Sequence, residues 1–587
     1  MPVLEWIKKK KDKVDNEGTR DHNSAEENTL LDLAIERYRI AESQKSDQEG
    51  RMLHTKWRDM DKMYRGNQWK GNVPSYKSTP VLNFTFSLVE SIIPRMTDTA
   101  PEILVLSRTG QSSANFAKML QSCHSHLWYY NRMQRKLTES IRMCMKYGTV
   151  IYKEFFDPDA LDGAGEVRYS VVHPMNFFPD PRAYEIDMME YCFTAFPRSL
   201  EYIVRRWPDK GHLVIPDNDW KDTEQTEGAD QPSEEDSATL KEYWFRDGEG
   251  NMCCMYYAGH VVLEVMGGEY DETNEPVYRH NRFPFTRQVD YPADKEFWGI
   301  GEIEIVELLQ RLINNFEAQI IDNTRLMANA QWVVNKIQSG LKEEDTWIFD
   351  SRPGNVIWTS QGGVDRLPGV PIPRHIPDHM ERLIFAMEQI LGIHDVVQGR
   401  RPSGVRAASA IIALQEAANV RVRQKARHLE YALVDMADKA TWLMLEFYDE
   451  PRKIRMAGQS EPSTLDVRAA LDLQIMQMAE EAGMVQPGMR PEMMEEEQMD
   501  VLRDTLKYPE FDIEVKVGPS VPYSQALVYE QAKEFYQLGI IDRKAVLDIT
   551  GFPNKEEIMK RMDAMEAQAM AGAEGEEGGE RVGERTF

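Results

Sequence analysis

Cysteine is scarce in this chain. Its five residues, Cys123, Cys144, Cys192, Cys253 and Cys254, are odd in number and without metal-ligand spacing. That argues against a disulfide scaffold or a zinc site, and for reduced thiols in a cytoplasmic setting. Cys253 and Cys254 are adjacent in a strand-like run, where neighbours face opposite sides, so they read as packing residues. Long apolar runs are also missing. Stretches such as Val81–Ile93 are broken by polar residues or Pro, well before the roughly 18–20 residues that a bilayer span needs. The N-terminus does not read as a signal peptide, because Val3, Leu4, Trp6 and Ile7 precede Lys8–Lys11 instead of following them. Positive charge is in deficit: 70 Lys and Arg stand against 97 Asp and Glu, for a net charge of −27. A protein that grips duplex DNA carries a basic footprint, and this chain has none overall. Either DNA is irrelevant to it, or DNA must pass without sticking.

Catalytic signatures are equally absent. There is no phosphate-cradling GxxxxGK[ST], no HExxH and no GxSxG. His124 and His126 are two apart, so on a helix they face away from each other and make a poor metal pair. His375 and His379 have i, i+4 spacing, but Pro377 between them marks a helix start that leaves His375 outside the helix. Asp157, Asp159 and Asp162–Gly163 hint at a calcium loop, yet the twelfth position is Arg168, and a tight acidic turn fits better. No catalytic, cofactor-binding or metal-binding residue is assigned, and an enzyme is not expected. No internal repeat is visible.

What is present is enough apolar material, 42% of 587 residues, for two to four folded domains. Ser24 and Glu27 form a capping box opening a helix that sets Leu30, Leu31, Ala34, Ile35 and Tyr38 on one side. A second helix is expected over 51–64, ended by Gly66, and a third from Asn83, limited by Pro94. A short strand (102–106) and helical spacing over 114–147 follow. From Gly148 the texture turns to β: 149–156, 167–172 and 191–196. A helix (199–207) and an acidic segment (216–237) come next, then a hairpin of 241–245 and 252–265. Later, 511–517 alternates apolar and charged residues as a half-buried strand does, and helices are expected at 524–538, 543–549 and from Asn554.

The middle of the chain is the most distinctive part. A long helix with apolar residues at 305, 306, 309, 312, 313, 316, 320 and 327 is followed by a Gly-, Pro- and Trp-rich excursion. A second helix returns with Met380, Leu383, Ile384, Met387, Ile390 and Leu391 in register. The two can therefore lie side by side with a knob at one end. Trp332, Trp347 and Trp358 in the knob suit either protein docking or the knob's own core. Beyond lie Arg400, Arg401, Arg406, Arg421, Arg423, Lys425 and Arg427, against the single acid Glu416. For 421–427 the reading is salt bridging to acidic neighbours. For 400–406, in a Gly/Pro-containing loop, transient phosphate contact and contact with a neighbouring loop both stay open.

Several short motifs, in this order and spacing, resemble the portal proteins of tailed bacteriophages, podovirus-like branch. They are Tyr64–Trp69, Val81–Asn83 and Pro101–Val105, then Lys146–Thr149, Val172–Pro174 and Phe178–Pro181. Phe283–Phe285 with Gly299 and Asn314–Asn315, Ser403–Ala410, Val517–Ser520 and Leu538–Asp542 complete the set. The resemblance covers most of the chain. It implies a mainly α-helical α+β ring subunit with wing, helical stem, β-rich clip and helical crown. The implied parts are a flexible basic arm (1–28), a wing (29–285), a stem helix (286–331), a clip (332–374) and a second stem helix (375–393). A tunnel loop (394–404), a long helix (405–450), a C-terminal wing and crown region (451–570) and a disordered tail (571–587) follow. It implies a ring of about twelve copies at one capsid vertex, through which double-stranded DNA is packaged by the terminase and later ejected. Scaffolding and major capsid proteins and head–tail adaptors would be partners, with assembly in the host cytoplasm and final residence in the virion. Arg400, Arg401 and Arg406 would face DNA in the tunnel loop, and Trp347, Trp358 and Arg352 would meet partners at the clip. An acidic channel wall that repels phosphates would then explain the net charge. The competing readings are another oligomeric head or tail protein without a DNA channel, and a nucleic-acid enzyme with an undetected site.

Overall fold

The computed structural model describes residues 23–516, except 48, 76, 99, 108–110, 218–236, 272, 329–331, 340–341, 343, 345–362, 367–372, 374, 392–419, 455–462, 487 and 507–510. It also describes 532–542, 545–547 and 561. Two units divide at Gly518 and Pro519. In the second, residues 532–537 are helical, closed by Gly539 at φ +70°.

Among the described residues of the first unit, helix α1 (Ala25–Ser43) comes first, and its capping box forms as expected: the Ser24 hydroxyl accepts from Glu27 N–H, and the Glu27 carboxylate accepts from Ser24 N–H. Helix α2 (Leu53–Arg65) ends at Gly66 with φ +86°. Helix α3 (Phe84–Thr97), N-capped by Asn83, does not stop at Pro94 but runs one turn beyond it. Strand β1 (Glu102–Ser107) leads to α4 (Gln111–Tyr130) and α5 (Met133–Tyr147). The helical spacing expected over 114–147 is met by two helices, parted at Arg132, which is left-handed at φ +51°. The cause is Asn131, whose amide donates to Leu127 O and Val167 O and whose oxygen accepts from Tyr169 N–H. Those bonds tie the break to an edge strand that would otherwise lack partners.

Strands β2 (Thr149–Asp157), β3 (Glu166–Val172) and β9 (Phe285–Val289) form one antiparallel sheet in the order β3-β2-β9. A second sheet runs β4 (Phe177–Pro179), β5 (Tyr191–Ser199), β6 (Ser237–Arg246), β7 (Met252–Ala258) and β8 (Val261–Met266). The expected hairpin is thus three strands, because Gly259–His260 turns the chain inside 252–265. Helix α6 (Leu200–Arg206), capped by Ser199, packs at one end. This sheet is covered on both faces. Phe193, Tyr243, Cys253 and Met255 meet α1, while Cys192, Trp244 and Cys254 enter the main core. Burial on both sides explains why β6 is buried almost throughout instead of alternately. It also gives the adjacent cysteines the opposite-facing packing roles read from the sequence.

The central helix α7 (Glu302–Ala328) starts later than the stem boundary at 286, since 285–289 belongs to β9. Strands β10 (Trp332–Val334) and β11 (Val364–Arg366) pair antiparallel before α8 (His375–Leu391). His375 is the first residue of α8, not outside it, with Pro377 accommodated in the first turn. Helix α9 (Val420–Phe447) crosses β2, β9 and α3. Strands β12 (Arg452–Ile454) and β13 (Ser463–Leu465) pair. Helices α10 (Val467–Glu481) and α11 (Glu496–Thr505) follow, and β14 (Phe511–Lys516) pairs antiparallel with β1, which precedes it by some 400 residues. The fold class is α+β, as expected. No described helix is long and apolar enough to cross a membrane.

One buried group sits uneasily in this core. Glu154 on β2 is fully buried, and neither carboxylate oxygen has a hydrogen-bond partner. Burial pushes its carboxyl up to about 8, with the Lys439 ammonium offsetting only part. A carboxyl raised from about 4.5 is most favourable to folding at low pH, and its contribution is lost as pH rises toward 8. At pH 7.5 the mismatch amounts to roughly 4 kcal/mol. Glu154→Gln should therefore raise the melting temperature at pH 7.5 and leave it nearly unchanged at pH 4.5. Thermal unfolding followed at both pH values checks this.

Candidate functional site at the root of the central helix pair

Helices α7 and α8 pack side by side, with Phe316 and His379 edge to face at 5.4 Å between ring centroids. The buried residues of the pair lie toward the start of α7 (Ile303, Val306, Ile313) and the end of α8 (Met387, Leu391). Their other ends are exposed together, so the pair is antiparallel and rooted at one end.

Three glycines make the root. A Cβ on Gly148 would fall 2.0 Å from Gly299 O, one on Gly299 would fall 2.6 Å from Gly148 O, and one on Gly301 would fall 2.7 Å from Met145 O. Backbone therefore lies directly on backbone where α5 meets β2 and where the chain enters α7. Gly148 also closes α5 at φ +80°, a conformation side chains resist.

Above the glycines, α7 is held by polar side chains. Gln310 and Asn314, one turn apart, are buried. Gln310 Nε2 donates to Leu82 O (2.6 Å), and its oxygen accepts from Phe84 N–H (3.1 Å). Asn314 Oδ1 accepts from Leu82 N–H (3.2 Å), and its amide donates to Gln68 Oε1. Gln68 Nε2 in turn donates to Met63 O (2.8 Å) and Asn83 Oδ1 (3.1 Å). Arg311 Nη1 reaches Gln68 O (2.9 Å), and Asp322 accepts from Ser78 N–H (3.0 Å). Residues 68–82 thus strap α7 along several turns. The neighbouring motifs 64–69 and 81–83 and Asn314 of the motif 314–315, some 230 residues later, are thus one hydrogen-bonded network.

A charged cluster closes the root from the side of α9. Lys425, buried, pairs with Asp290 and with Glu302 (2.8 Å), and its ammonium lies 4.0 Å from the Tyr291 ring centre. Tyr291 O–H donates to Glu302 (3.1 Å). Burial alone would lower the Lys425 ammonium, but Asp290 and Glu302 hold it above the ordinary lysine range. Burial, offset in part by Lys425, pushes Asp290 above the ordinary carboxylate range, with Glu302 adding to the rise. This is the salt bridging expected of the 421–427 group, realised at Lys425, while Arg423 and Arg427 are exposed. Asp290, Glu302 and Gln68 carried no signal in the sequence that marked them as partners.

The other expected site residues, Arg400, Arg401 and Arg406 and Trp347, Trp358 and Arg352, lie outside the described residues. So do most of the clip, the tunnel loop, most of the basic arm and the C-terminal tail. His124 is buried against the Thr441 hydroxyl (2.8 Å), and His126 lies 3.5 Å from Glu166. Among the described residues no group of three or more His, Cys, Asp or Glu could hold a metal ion.

The described residues form an α+β unit with a rooted antiparallel helix pair. Residues 160–480, more than half of the chain, match the family model described as Phage SU10 portal protein, and the chain belongs to that family of phage portal proteins. No curated protein matches it. The family is structural, its place is the portal vertex of the virion, and it is of the podovirus-like kind.

Proposed function

We propose that this chain assembles into a ring of about twelve copies, through which double-stranded DNA is packaged by the terminase and later ejected, and to which head–tail adaptors attach. The observation that carries the reading is the rooted α7–α8 pair, which has the antiparallel arrangement of a portal stem. It also keeps apolar residues uncovered: Leu308 is 75% and Phe385 62% exposed, with Ile305 and Leu312 also exposed. Uncovered apolar side chains on a firmly anchored helix pair are what a neighbouring stem would bury. In this reading 29–285 is the wing, 332–374 the clip, 394–404 the tunnel loop and 451–570 the C-terminal wing and crown. Arg400, Arg401 and Arg406 would face DNA, and Trp347, Trp358 and Arg352 would face partners. The net charge of −27 on each copy keeps the phosphate backbone from adhering while a few arginines touch it lightly.

Negative-stain imaging with mass by light scattering tests the ring. Particles with a central hole and a mass near twelve or thirteen times 67.9 kDa are expected. A solid oligomer without a hole would favour a head or tail protein that has no channel.

A further inference from the structure

A groove between α10 and α11 plays no part in the portal reading. It holds about 690 Å3 and is lined by Ala469, Leu473, Pro491, Met494 and Met499, with Glu492, Glu496 and Arg490 beside them. Leu473 in its wall is 51% exposed. Its floor is firm. Arg503 donates to both oxygens of Asp472 (2.8 and 2.7 Å), clamping α11 to α10. Over residues 480–500 the chain carries seven carboxylates and one base, Arg490. Methionine is unbranched and polarisable, so a Met-lined groove adapts to the shape of an apolar guest. An acidic rim selects a guest whose positive charge lies next to its apolar anchors.

The chain itself contains such a guest. Val3, Leu4, Trp6 and Ile7 are followed at once by Lys8–Lys11 and Lys13, against only Glu5 and Asp12. The other basic cluster, 400–427, contains no Trp, Tyr or Phe. We propose that the N-terminal segment 3–13 docks in the α10–α11 groove, with Trp6 and Ile7 among the methionines and the lysines facing the glutamates. This is a property of the groove and the segment, and it stands or falls separately from the DNA channel.

Site-directed crosslinking of the full-length chain tests it. All five native cysteines are buried, so introduced surface thiols react selectively. A chain carrying Lys9→Cys with Glu496→Cys is oxidised mildly and run on a non-reducing gel. The comparison chain carries Lys9→Cys with Glu36→Cys, on the exposed side of α1. Docking is expected to crosslink the groove pair about tenfold faster, because it raises the effective concentration there. Adding Trp6→Glu, or 0.5 M salt, should remove most of that advantage. A monomer band places the segment in its own chain's groove, and a dimer band in a neighbour's; both support docking. A groove pair no faster than the comparison pair overturns the proposal. So does an advantage that survives both Trp6→Glu and salt.

Discussion

Gly148→Ala costs the chain far more than its single methyl group suggests, at least about 3 kcal/mol and a loss of soluble yield. Two penalties add at this position. Gly148 sits at φ +80°, where a side chain costs about 1–2 kcal/mol. Its new Cβ would also lie 2.0 Å from Gly299 O and 2.4 Å from Gly299 C. These are backbone atoms and cannot swing aside, so the root must open or α5 must unwind. Gly50 provides the control. It has φ +75° but nothing within 4 Å of where an added methyl would sit, so Gly50→Ala carries the conformational penalty alone. Thermal unfolding of the two variants isolates the steric part. Equal losses in both would mean that the glycine contact is not what fixes α7.

The second large effect belongs to the polar strap. Asn314→Leu leaves Leu82 N–H and Gln68 Oε1 without their partner in a buried setting. A destabilisation of about 2–4 kcal/mol follows, since each orphaned buried group costs roughly 1–3 kcal/mol. Gln68→Leu should cost a similar amount, because it also strips Met63 O and Asn83 of a donor. The informative variant is the double one. If the two side chains act as a unit, the double substitution costs clearly less than the two singles added, by about 1–3 kcal/mol. Chemical denaturation of the four chains measures that coupling. Strict additivity would mean that the two amides serve separate purposes.

Much of the local architecture is legible in the sequence. The Ser24 capping box, the Gly66 helix stop, the strands from Thr149 and the alternation at 511–516 all rest on neighbours within a few residues, and all appear where expected. The apolar period of α7 announces a helix but not which side faces inward. Val306 and Ile313 are buried, whereas Ile305 and Leu312 on the same expected stripe are exposed, and Gln310 and Asn314 take the inner face. That outcome depends on residues 68–84, more than 220 positions away, which no local period encodes. The break at Arg132 is of the same kind, because it exists to serve a strand that arrives some 35 residues later. Lys425 shows in the sequence as one of several basic residues, and only the fold distinguishes it as a buried one.

The glycines seat α7 at its start and the strap holds it as far as Asp322, and this has a mechanical side. A helix of 27 residues extends about 40 Å beyond its first residue. A tilt of a single degree at its base would move its far end by about 0.7 Å and would have to stretch the strap as well. Backbone seated on backbone leaves little compliance at that base, so the α7–α8 pair behaves as a stiff lever: a push at its far end arrives at the sheet of β2, β3 and β9 as torque, not as bending along the way.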